Sequence, residues 1–100
     1  MLTDPHALVV LDGIEQIGPR RYQGTDYERV FIPKSVVSIC DSAFSNCRKL
    51  REVVVEDGSR LQTIGRGAFS GCVGLASINL PEGLEKICVS AFRGAGLQDV

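Results

Sequence analysis

Leu61–Leu80 reads LQTIGRGAFSGCVGLASINL. It carries a Leu-x-x-Ile step at Leu61 and Ile64, an Ala-Phe pair at Ala68 and Phe69, a Cys three residues later at Cys72, and a Leu-x-x-Ile-x-Leu step at Leu75, Ile78 and Leu80. The same order stands upstream in Val36–Val55, VVSICDSAFSNCRKLREVVV, and downstream in Leu84–Val100, LEKICVSAFRGAGLQDV. Anchored on the aromatic residue, Tyr22, Phe44, Phe69 and Phe92 follow one another at 22, 25 and 23 residues. Ile17, Ile39, Ile64 and Ile87 each lie five positions before an aromatic, and Ile14, Val36, Leu61 and Leu84 three positions before those. Leu8, Val30, Val53, Ile78 and Val100 recur at 22, 23, 25 and 22 residues. So many columns held in register mark an internal repeat.

A unit of this length cannot bury an apolar face alone, but stacked units share a continuous core, which is the logic of a solenoid. The period-two alternation in RVFI, REVVV and ASINL predicts strands, set side by side by the stacking as a parallel sheet. Pro33 and Pro81 fall directly after a strand, where a missing N–H does little harm. The segments SAFSNC, GAFSGC and SAFRGA are expected as single helical or 3-10 turns, with Asp41 as a cap for the first. The loop Glu56–Arg60 is two residues longer than its counterparts and should bulge from the coil. The chain is shorter after Tyr22 and Phe92, with Gly24 and Gly96 there to permit tighter turns. At the N-terminus Leu8 and Val10 align as a first strand; the other reading has Thr3-Asp4-Pro5 capping a short helix. The expectation is one domain over 1–100, with coils near 8–29, 30–52, 53–77 and 78–100.

Eleven Lys and Arg stand against 12 Asp and Glu. Such a balance supplies no basic field for nucleic-acid phosphates and no polybasic run for an anionic membrane surface. The longest apolar run, Ala7–Leu11, is too short to span a bilayer, so neither nucleic-acid binding nor membrane insertion is expected. MLTDPH has no positive segment ahead of the apolar run and does not read as a secretory signal. This favours a cytoplasmic location.

The chemistry-bearing residues point away from catalysis. The four cysteines are spaced 7, 25 and 16 residues apart, without the paired ligands that converge on a metal. Cys47 and Cys72 share a column in adjacent coils. Strands about 4.8 Å apart fall within the roughly 4.4–6.8 Å Cα window of a disulfide, so a bridge is one reading. The other, taken here, is buried thiols acting as small hydrophobes, with all four cysteines free. Cys40 and Cys88 are two coils apart and should not meet. His6, the single histidine, has no nucleophile beside it in sequence. Glu28, Glu52 and Asp99 fall on an exposed strand face, which provides no burial to raise a carboxyl pKa for acid–base work. The aromatic column is core, not a stacking platform for bases. No enzyme activity and no cofactor are expected.

In Leu-x-x-Ile-x-Leu the first, fourth and sixth positions take the core, so the fifth points outward. Val9, Phe31, Val54 and Asn79 occupy it, preceded on the same face by Arg29, Arg51 and Ser77. An apolar stripe bordered by Arg suits a protein interface. The alternative is a stripe covered by a flanking segment.

The assembled columns resemble the BspA-like leucine-rich repeat, whose signature runs Leu-x-x-Ile-x-Leu-Pro-x-x-Leu-x-x-Ile-Gly-x-x-Ala-Phe-x-x-Cys. Leu75, Ile78, Leu80, Pro81, Leu84, Ile87, Ala91 and Phe92 meet it, as do Leu50, Val53, Val55, Leu61, Ile64, Gly65, Ala68, Phe69 and Cys72. Cys40 and Cys88 depart from it at the Gly position, Arg21-Tyr22 at Ala-Phe, and Ala95 at the Cys. The resemblance implies a repeat solenoid of four to five coils, a short horseshoe with the parallel sheet on its concave face and short helical or 3-10 turns on the convex side. It implies a module binding a protein partner through the concave face, often at the cell surface. The alternative is a structural or adhesive slice of a longer array that packs mainly against its own neighbouring repeats. The last Leu-x-x-Val step is followed by no polar cap, which leads to an expectation of exposed edges at Leu84, Ile87, Phe92 and Leu97 and of end-to-end self-association.

Overall fold

The computed structural model describes residues 4–97. Among these residues eight short strands alternate between two parallel sheets. The first holds β1 (Ala7–Val9), β3 (Arg29–Ile32), β5 (Glu52–Val55) and β7 (Ser77–Ile78). The second holds β2 (Gln16–Ile17), β4 (Ser38–Ile39), β6 (Thr63–Ile64) and β8 (Lys86–Ile87). Each strand pairs with the equivalent strand of the next coil, which makes a solenoid of about four turns. The register joins Leu8 to Val30, Val30 to Val53 and Val53 to Ile78, the columns read from the repeat. The second sheet was not among the expected elements. Its strands are two residues long, too short to display an alternation.

The third wall corrects the expectation of helical or 3-10 turns: among the described residues it holds turns and no helix. Two left-handed residues per coil forbid a helix here. Arg20, Ser42, Gly67 and Ser90 form one column of positive φ (56–63°), and Gly24, Asn46, Gly71 and Gly94 another (60–76°). Backbone N–H groups then alternate in direction. In the second coil Ala43, Ser45 and Cys47 donate to the carbonyl three residues back, while Ser42, Phe44 and Asn46 donate to Arg66, Ala68 and Ser70 of the next coil. The pattern recurs with Arg20, Tyr22 and Gly24, and with Gly67, Phe69 and Gly71. The peptide groups of this wall are thus satisfied without a helix. Asp41 accordingly does not cap a helix; its Oδ1 accepts the Arg66 N–H of the adjacent coil at 2.8 Å.

At the N-terminus Asp4 O accepts the Ala7 N–H in a turn that leads straight into β1, so no helix begins there. Thr3, Asp99 and Val100 lie outside the described residues. The long loop is held at both ends, Glu56 N–H to Ile32 O and Arg60 N–H to Lys34 O, and its tip Asp57-Gly58 is exposed. Gly24 has the positive φ of a tight turn. Gly96 is required for a different reason: a Cβ there would lie 2.7 Å from Val73 O.

Between the three walls lies one apolar core. Ile32, Ile39, Phe44, Leu50, Leu61, Ile64, Phe69 and Leu75 are fully enclosed. The aromatic rings form a continuous stack, with centroid separations of 5.4, 5.3 and 5.4 Å from Tyr22 through Phe44 and Phe69 to Phe92. Arg21 stands where later coils have buried Ala43, Ala68 and Ala91, and its guanidinium lies 4.6 Å from the Tyr22 ring centroid. The Arg21-Tyr22 departure from the repeat thus places a cation–π contact at one end of the stack. At the other end Ile87 is 47% exposed, whereas Ile17, Ile39 and Ile64 are at 1% or less. Leu84, Phe92 and Leu97 are partly exposed.

Phe69→Ala removes a ring sandwiched on both faces and should cost about 3–5 kcal/mol, a large share of a domain stability of about 5–15 kcal/mol. A denaturant melt reads this directly. A loss below about 1 kcal/mol, the scale of a peripheral substitution, would show that the stack is not the core.

Candidate interaction face

Strand alternation sorts the first sheet into two faces. Val30, Ile32, Val53 and Val55 point into the core. The outward row consists of Val9, Phe31 and Val54, paired directly across β1, β3 and β5. Val9 is 65% exposed, and Phe31 and Val54 are partly so. The outward row of the second sheet is different in kind. Gln16, Ser38, Thr63 and Lys86 occupy it, polar in every coil. Among the described residues, apolar side chains in the outward row of a sheet are therefore confined to the first sheet.

Three residues expected on this face have more specific placements. Asn79 does not extend the row as a strand residue, because β7 ends at Ile78. Its carboxamide turns onto β5: Oδ1 accepts the Val55 N–H at 2.7 Å and Nδ2 donates to Val55 O at 2.8 Å. The side chain supplies what a longer strand would have supplied through its backbone. The clue in the sequence is an Asn where the preceding coils carry Phe31 and Val54, just ahead of Leu80-Pro81. Beyond it the third and fourth coils separate into an open cleft of about 460 Å³ between Glu56–Ser59 and Leu80–Gly83.

Arg51 lies one residue out of the expected row. The register pairs Arg29 with Glu52 and Glu52 with Ser77, so Glu52 stands between them. Arg51 precedes β5, with its N–H bonded to Glu28 O and its carbonyl accepting from Ala76. Arg29 ion-pairs with Asp4, and His6 lies 3.6 Å from Glu28. The His6 backbone N–H, followed by the Arg29 guanidinium, holds the Asp4 carboxyl below its ordinary value. The border of the apolar row is thus mixed in sign. Such exposed pairs orient side chains more than they stabilise the fold.

The cysteines form a second set. All four are free, Cys47 and Cys72 buried, Cys40 and Cys88 partly so. Thr25, Cys47, Cys72 and Ala95 make one column. The Cys47 thiol donates to Tyr22 O at 3.2 Å and the Cys72 thiol to Phe44 O at 3.0 Å, while Thr25 Oγ1 lies 3.4 Å from the Cys47 sulfur. Of the pair, Cys47 is the more acidic: the Cys72 thiol, then the Thr25 hydroxyl, can turn toward its sulfur and favour the thiolate. Cys72 is pushed up by Cys47 and by burial. Among the described residues no cluster of three His, Cys, Asp or Glu side chains converges on a metal-binding point.

The family model for the BspA type leucine rich repeat region matches residues 8–100 in six copies. The chain is 30% identical to a leucine rich cell surface protein from Faecalibacterium prausnitzii A2-165, with a TM-score of 0.78 over 92% of this chain and 28% of that one. It is 27% identical to a leucine-rich repeat protein from Bacteroides capillosus ATCC 29799, with a TM-score of 0.83 over 99% of this chain and 77% of that one. A leucine rich repeat protein of T. pallidum aligns at 28% identity and a TM-score of 0.55, over 88% of this chain and 54% of that one. The chain thus spans less than a third of the first of these proteins. No curated protein sequence matches it.

Asn79→Ala should leave Val55 N–H and C=O without their side-chain partners and cost about 1–3 kcal/mol. Amide exchange at Val55 should accelerate with it. Unchanged protection at Val55 would show that the carboxamide does not close the ladder.

Proposed function

Because the chain belongs to the BspA-type leucine-rich-repeat family, we propose that it is a protein-interaction module that engages a protein partner through the outer face of its first sheet. Leucine-rich-repeat proteins are in general non-enzymatic, and their scaffolds present surfaces rather than reacting groups. One observation carries the choice of face: the outward row of the first sheet is apolar at Val9, Phe31 and Val54, whereas that of the second is polar in every coil. Contiguous exposed apolar surface tends to mark contact sites, and the adjoining Arg29, Glu52 and Ser77 supply a polar rim. Arg51 lies at the edge of this rim, and Asn79 closes the row on the β7 side.

A second reading is a slice of a longer, surface-displayed solenoid whose contacts are mainly with its own repeats. The description of the Faecalibacterium protein as a cell surface protein supports it. So does the exposure of Ile87, whose counterparts in the other coils are covered. End-to-end association of copies belongs to this reading.

Phe31→Ser combined with Val54→Ser should leave the circular dichroism spectrum and melting temperature near those of the parent, yet abolish capture of a partner from extracts of the source cell. Ser38→Glu combined with Thr63→Glu, on the second sheet, should leave capture intact. Capture retained by the first variant and lost by the second would move the site to the other sheet. Concentration-dependent growth of the unmodified chain in sedimentation, with no captured protein, would favour the second reading.

A further inference from the structure

We propose that Cys47 and Cys72 are a thiol–disulfide modification site, a latent bridge between adjacent coils that closes by exchange with a small diffusible disulfide. The site is independent of the interaction face. Its geometry comes from the turn wall. Phe44 and Asn46 donate to Ala68 and Ser70 of the next coil at 2.8 and 2.7 Å, which holds the two backbones at ladder spacing immediately before the two cysteines. A ladder step of about 4.8 Å lies inside the roughly 4.4–6.8 Å range that a disulfide accepts. Both sulfurs point to the same inner side, each donating to a carbonyl one coil earlier. Cys40 and Cys88 have no such partner, because their column places Gly65 between them.

Closing the bridge leaves no polar group stranded. Tyr22 O loses the Cys47 thiol but keeps the Thr25 N–H and the Thr25 hydroxyl. Phe44 O loses the Cys72 thiol but keeps the Cys47 N–H. Loss of both S–H donors is therefore tolerated, which a buried pair does not guarantee.

The exchange balances in two steps. Cys47 gives up its proton to water, and its thiolate attacks one sulfur of the small disulfide. That S–S bond breaks, a mixed disulfide forms on Cys47, and one small thiolate departs and takes up a proton. Cys72 then gives up its proton to water, its thiolate attacks the Cys47 sulfur, and the second small thiolate is expelled and takes up a proton. Two protein thiols are oxidised, and one small disulfide is reduced to two thiols. Burial makes access depend on local opening of the coil, which governs the rate and not the end point.

The full chain is equilibrated at neutral pH with 2-hydroxyethyl disulfide and 2-mercaptoethanol, in buffer and in denaturant below the unfolding transition. The expected product is a monomer whose free thiols fall from four to two. Its mass is lower by two hydrogens, a peptide map joins Cys47 to Cys72, and its melting temperature exceeds that of the reduced chain. Four thiols retained in both solutions, adducts on Cys47 or Cys72 without closure, or a bridge to Cys40 or Cys88 would each overturn the assignment. Cys47→Thr copies the residue of the first coil at this column and should form no bridge; an intramolecular bridge in that variant would overturn the assignment as well.

Discussion

The distance from one coil to the next is the constraint on which everything else depends. It is set by backbone hydrogen bonds, and all three walls carry them: two by parallel strands, the third by turns whose N–H groups alternate between their own coil and the next. A side chain can then be stacked only on one of similar shape. Hence Phe44 lies parallel to Phe69 within 2° and Phe69 to Phe92 within 3°, and Ala43, Ala68 and Ala91 beside them are buried in coil after coil. Where the chain leaves the ladder the demand lapses. The loop around Gly58 absorbs two extra residues there, and the third and fourth coils part around it.

Those columns were legible in the sequence for the same reason. Each enclosed position must repeat, so spacing alone located Ile17, Ile39, Ile64 and the aromatic stack. The turn wall was not legible, because its conformation rests on left-handed residues that include Arg20, Ser42 and Ser90, types with no special preference for that region. An alternating apolar pattern there reads equally well as a helical turn. The second sheet escaped notice because two residues carry no period.

The outer face was less legible than the core. Outward residues answer to no stacking rule, so alternation shows which way they point and little else. It put Val9, Phe31 and Val54 outside. It missed that Asn79 folds back onto Val55, since a carboxamide standing in for a strand is a local event with no periodic trace. The row shared by Arg29 and Glu52 depends on a register that a one-residue slip changes, and the Arg51 assignment fell on the wrong side of it. Phe31 and Phe44 illustrate the difference: one is partly exposed on a sheet face, the other enclosed in the ring stack.

Arg21 over Tyr22 gives the array a direction. At that end the ring stack is closed by a cation, and Ile17 is as enclosed as residues in the middle of the solenoid. In the fourth coil Ile87 is 47% exposed and Phe92 is partly exposed. In a stack whose coils contact only their neighbours, stability is a sum of interfaces, so a less covered coil contributes less to it. Among the described residues the ring stack is therefore asymmetric, with a guanidinium over the ring of its first coil and a partly exposed ring in its fourth. The Arg21 departure from the repeat thus makes the first coil chemically distinct from the coils stacked on it, where Ala43, Ala68 and Ala91 are buried at the same column.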